Sequence, residues 1–78
     1  MTRFPALEGK EVVGVLEMHG FSIERQRGSH CIMKHPDGRT TVVPLHAGET
    51  IGPGLFAKIM RDVELKREDF MRDRRRKD

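Results

Sequence analysis

Between Glu8 and His19 the positions Val12, Val15, Leu16 and His19 recur at i, i+3, i+4 and i+7, the spacing that gathers side chains on one face of an α-helix. The stripe predicts a first helix over Glu8 to His19, and Gly20 follows it as a natural C-terminal stop. The pattern then changes. Phe21 and Ile23 precede a polar run, which suits a short strand over Phe21 to Gln26. Ser29 to His35 reads as a second strand, and Arg39 to Val43, rich in Thr and Val, as a third. Pro36-Asp37-Gly38 lies between the last two and favours a tight turn, because proline fixes φ and glycine accepts positive φ. His46 to Ile51 reads as a loop. Pro53 fits the first turn of a second helix, whose face is drawn by Phe56, Ile59, Met60 and Val63. Leu65 and Phe70 are spaced as a hydrophobic staple, so a short last helix is expected from Arg67 onward, although Lys66 is a poor N-cap.

The predicted order is α-β-β-β-α with a short extra helix, an α+β fold in which two helices cover one face of a three-stranded antiparallel sheet. The other sheet face stays open, and function is expected there. The same order describes the double-stranded-RNA-binding fold, which reads RNA shape and phosphates more than sequence. There is no internal repeat and no linker, so residues 1–78 read as one domain with a core over about 8–71 and a basic, fraying tail over 72–78. A chain of 78 residues is close to the size below which folding unaided becomes difficult.

Charge changes this picture only locally. The formal net charge is +3, but residues 1–50 hold six Lys/Arg against six Asp/Glu, so the excess belongs to residues 51–78. Much of it lies in Arg72 to Lys77, where a solvated helix end competes with a grip on RNA. The single Cys31 cannot form an intramolecular disulfide. No stretch resembles a signal peptide or approaches the roughly 20 apolar residues of a membrane span, so a cytoplasmic location is expected.

The stretch "RQRGSHCIMKHPDGRTTVVPLH" carries the candidate chemistry. Arg25, Arg27, Lys34 and Arg39 flank His30, against Glu24 and Asp37, giving a locally positive surface suited to phosphate. RNA supplies its own nucleophile in the 2′-hydroxyl. A nuclease therefore needs no metal if it moves that proton and stabilises the phosphate, and histidine titrates near neutral pH. Strand alternation sets His30, Ile32 and Lys34 on one face and Cys31, Met33 and His35 on the other, without saying which is open. The bland alternative for His30 is a strand-end histidine bonded to a backbone carbonyl. Ser29 suits a phosphate, the imidazole or the backbone. His46 reads as an anchor for the following loop, with assistance at the phosphate as its second reading. His19 is expected at the core edge and His35 in solvent beside the turn. His30, Cys31, His35 and His46 show no zinc spacing, so neither metal nor cofactor is expected. Cys31 reads as a small apolar residue.

Taken together, "GFSIERQRGSH", "HPDGRTTVVPLH" and "GPGLFAKIMRDVELKREDF" resemble the HicA, or YcfA-like, family of toxin ribonucleases. The resemblance runs from about Lys10 to Phe70. It rests on five landmarks in order: Phe21, Gly28-Ser29-His30, Pro36-Asp37-Gly38, Val43-Pro44-Leu45-His46 and Pro53-Gly54. Cys31 stands where many members have a second histidine, and Phe21 where tryptophan is common. The resemblance implies an mRNA-cleaving toxin on a double-stranded-RNA-binding-like fold, either monomeric or held by a HicB-type antitoxin that covers the His30 face. It maps the catalytic histidine onto His30. Two other classes stay open on the residues alone, a noncatalytic RNA-binding module and a protein-interaction domain with an inert histidine.

Overall fold

Gly9 is where the chain turns from a two-residue strand, β1 (Leu7–Glu8), into the first helix, α1 (Gly9–Met18). The computed structural model describes the backbone of residues 6–76 and the side chains of residues 6–74. A Cβ at position 9 would lie 2.1 Å from the carbonyl oxygen of Pro44, so only glycine lets the start of α1 press against the end of the sheet. The helix closes as expected at Gly20: Phe21 N–H donates to Leu16 O and Gly20 N–H to Glu17 O, the paired bonds of a Schellman motif.

Three strands follow, β2 (Ser22–Arg27), β3 (His30–Lys34) and β4 (Thr40–Pro44), in an antiparallel sheet of order β2-β3-β4. Next come β5 (Thr50–Ile51), α2 (Pro53–Val63) and α3 (Arg67–Arg76). The segment read as a loop over His46 to Ile51 thus ends in a strand, β5. It pairs antiparallel with β1 through Leu7 opposite Ile51 and Glu8 opposite Thr50. Two residues each are too few for any alternation to register.

Cys31 and Met33 of β3, with Thr41 and Val43 of β4, point to the helices and are buried; this decides the choice that alternation left open. They pack with Val12, Val15 and Leu16 of α1, Phe56, Ile59 and Val63 of α2, and Phe70 of α3. The Phe56 and Phe70 rings meet edge to face at 5.1 Å. Thr41 is the one polar residue that the sheet buries among the described residues, and its hydroxyl donates to Asp62 at 2.9 Å.

Part of the tail expected over 72–78 is helical among the described residues. The helix runs through Arg76, because Asp73 falls on the same face as Phe70 and meets His19 of the first-helix cap at 2.5 Å. Arg74 Nε likewise donates to Glu11 at 2.9 Å. The remainder of the tail, Lys77 and Asp78, lies outside the described residues. His35 departs from expectation. It is packed against the Phe21 ring at 5.1 Å with its side chain 22% exposed, rather than free in solvent.

Candidate functional site

The β2–β3 connection is the two-residue turn Gly28-Ser29, with Arg27 directly opposite His30. Gly28 has φ 58 while Ser29 has negative φ, the arrangement of a II′ hairpin, whose first central position favours glycine. His30 is thus the first residue of the returning strand.

From there the register builds a three-by-three patch on the open face. Arg27, His30 and Pro44 form one row, Arg25, Ile32 and Val42 the next, and Ser22, Lys34 and Thr40 the third. Side chains directly opposite in such rows stand roughly 5 Å apart at Cβ. The two-residue turn sets Arg27, and by alternation Arg25, on the His30 side, and a bulge between Ile23 and Arg25 then takes up Glu24 and brings Ser22 to the same face. Sequence alternation had no means of showing this, since the extra residue shifts the period by one.

Arg25, Arg27 and His30 are exposed, and their side chains make no hydrogen bond or ion pair among the described residues. Lys34 has a loose, half-exposed partner in Glu24 at 3.8 Å. Arg39 is not brought to this patch. It projects to the helix side, where Nε bonds Asp37 at 2.8 Å, a terminal nitrogen donates to the Val63 carbonyl and the guanidinium lies over the Phe21 ring. Asp37 is occupied in turn: the Arg39 amide first, then its guanidinium, holds the carboxyl below the usual aspartate range. Arg39 therefore ties the β3–β4 turn to the end of α2, and the acid expected to oppose the patch is turned away with it.

The segment after β4 closes the His30 end. Leu45 N–H donates to the Ser29 carbonyl at 2.6 Å, and His46 Nε2 reaches the Ser29 hydroxyl at 3.3 Å. Ser29, His30 and His46 are thereby gathered at one rim. Beside them lies a cleft of about 210 Å³ lined by Glu8, Gly9, Lys10, Leu45, His46 and Ala47. The reading of the sequence missed Lys10 and this cleft. They depend on the Gly9–Pro44 approach, and the glycine at the start of α1 was the one signal of it.

Cys31 faces the core, fully buried, and burial first, then the nearby Glu17, pushes its thiol up. It is a packing residue on the opposite side of β3 from His30. Among the described residues no group of three or more His, Cys, Asp or Glu is placed to hold a metal ion.

Fold and site together define a small α+β domain whose open sheet face carries unpaired cations and ends at a histidine hairpin. Residues 9–65 match the family model of the HicA toxin of bacterial toxin-antitoxin systems. The chain belongs to the HicA toxin family, and so to the toxins of toxin–antitoxin systems. No individually curated protein matches it. No helix among the described residues is long and apolar enough to cross a membrane.

Proposed function

We propose that this toxin is an endoribonuclease that cleaves mRNA in the cytoplasm without a metal ion, using His30 as the proton-transfer residue. The observation that carries the reading is the state of His30: exposed, unpaired among the described residues, directly opposite Arg27 and one row from Arg25. A histidine left free beside free cations has no role in holding the fold together, whereas it suits a phosphodiester whose 2′-hydroxyl must lose a proton. Arg25, Arg27 and Lys34 bind the phosphates, and Ser29 positions the strand at the hairpin. Arg39 takes no part in RNA contact in this reading.

The same face also receives the antitoxin, of the HicB type. Val42 is 41% exposed, and with Ile32 and Pro44 it makes an apolar centre edged by arginines, suited to a partner with an apolar middle and an acidic rim. Covering that patch removes His30 and both arginines from RNA at once.

The test is cleavage of labelled single-stranded and hairpin RNA in excess EDTA by wild type and His30→Ala. Wild type should cut, and the variant should be slower by about 10²- to 10⁴-fold while still binding RNA. Equal cleavage by both would point to a contaminant or another catalytic group. Binding without cleavage by either would make the protein an RNA-binding module.

A further inference from the structure

We propose that His46 is the general acid of the same reaction, protonating the leaving oxygen while His30 takes the proton from the 2′-hydroxyl; this rests on the ribonuclease reading. Transesterification of RNA moves two protons at two oxygens. The 2′-oxygen loses its proton as it bonds to phosphorus, and the 5′-oxygen of the next nucleotide gains one as its bond to phosphorus breaks. The products are a 2′,3′-cyclic phosphate and a free 5′-hydroxyl. A single imidazole cannot be an empty base and a loaded acid in one step, so a second proton carrier is needed for full efficiency.

The fold offers few candidates. His19 is held by Asp73 at 2.5 Å on the helix side of the molecule. His35 stands against Phe21 and Asp37, five residues along from His30 and so about 16 Å away on an extended strand. Cys31 is buried on the other face. His46 remains. Its ring touches the hydroxyl of the residue next to His30, its segment is fixed there by the Leu45–Ser29 backbone bond, and it is exposed. At 3.3 Å the contact with Ser29 is longer than a usual N–H···O bond of about 2.7–3.2 Å, so a phosphodiester oxygen can replace it.

The cleft beside His46 gives the leaving strand a place to go. Its volume of about 210 Å³ falls below the roughly 300–1,000 Å³ of pockets for drug-sized ligands, which suits a single base rather than a whole nucleotide. Leu45, Ala47 and Gly9 offer an apolar wall for a base, and Lys10 a charge for the next phosphate. Glu8 and Lys10 are the charged groups that face His46 across the cleft, and on its own loop Glu49 donates its amide to the His46 carbonyl.

A strand bearing sulfur in place of the bridging 5′-oxygen tests the assignment, because a thiolate leaves without being protonated. The bond is mapped first on the unmodified RNA, and then oxygen and sulfur versions are cut by wild type, His30→Ala and His46→Gln across pH 5–9. His46→Gln should cut the oxygen strand about 10²- to 10⁴-fold more slowly and lose the alkaline limb of the pH profile, yet cut the sulfur strand close to the wild-type rate. His30→Ala should be slow on both. If His46→Gln slows both strands equally, or neither, His46 is not the acid. Failure of wild type to cut either strand, or undiminished cutting by His30→Ala, would remove the ribonuclease reading and this assignment with it.

Discussion

His30 and His19 are the same residue type in opposite circumstances. His19 caps α1 and is held by Asp73, while the neighbouring Arg74 holds Glu11, so α3 is clasped to α1 through two side-chain pairs. At the hairpin rim, Arg25, Arg27 and His30 stand in the open without such partners among the described residues. If the rim binds RNA as proposed, a fold that pairs its charges on one side and leaves them unpaired on the other separates stability from binding. Residues of the clasp should therefore change stability without touching RNA recognition, and residues of the rim should do the reverse.

The largest break in that comparison comes from the hydrophobic centre of the clasp. Phe70 is fully buried and stacks edge-on against Phe56, so Phe70→Ala removes both its apolar burial and the ring contact. A loss of about 3–5 kcal/mol is expected. That is a large share of the roughly 5–15 kcal/mol that holds a typical domain together. Urea unfolding followed by circular dichroism checks it. A loss under about 1 kcal/mol would mean that α3 is dispensable to the core.

A smaller effect, with a pH signature, is expected at the polar part of the clasp. The bond from His19, and after it the charge of His19 and Arg72, holds the Asp73 carboxyl below the usual aspartate range. The folded form thus takes up a proton less readily than the unfolded chain. The stabilisation is present above the unfolded value of about 4 and is lost as pH falls through the lowered folded value. Asp73→Ala should lower the unfolding midpoint at pH 7 by less than Phe70→Ala does, and the gap from wild type should close as the pH approaches 3. A gap independent of pH would mean that Asp73 acts by packing alone.

The two regions were not equally legible in the sequence. The helices and the β3–β4 turn could be read because their spacing is local: Val12, Val15 and Leu16 mark one face within a few residues, and Pro36-Asp37-Gly38 marks a turn by composition. The rim was half legible. Gly28-Ser29-His30 drew attention to itself, and the two-residue turn sets Arg27 and Arg25 on the His30 side, but the bulge at Glu24 that brings Ser22 to that face leaves no periodic trace. Arg39 was misplaced for a similar reason. Its position next to the turn suggested the open surface, and its real partners are Asp37 nearby and Val63 far along the chain. The clasp was least legible, because it joins His19 to Asp73 across 54 residues. A local signal did exist: Asp73 follows Phe70 by three, on the buried face of an otherwise charged helix.

The smallest effect on stability should belong to the two arginines proposed to bind RNA. Arg25→Ala and Arg27→Ala remove exposed side chains that bond to nothing else among the described residues, so each should leave the unfolding free energy within about 0.5 kcal/mol of wild type. Binding should respond differently. Removing one cation that neutralises a phosphate of a single strand should flatten the dependence of log affinity on log salt by about 0.7, because fewer counterions are released. The measurement is RNA binding by His30→Ala, which under the proposed function should hold the strand without cutting it, titrated at several salt concentrations with and without each arginine. In the same background Asp73→Ala should leave the slope alone at neutral pH. An arginine variant that keeps the full slope, or an Asp73 variant with a flattened one, would show that the charges on the two sides are not divided between binding and folding as their partners suggest.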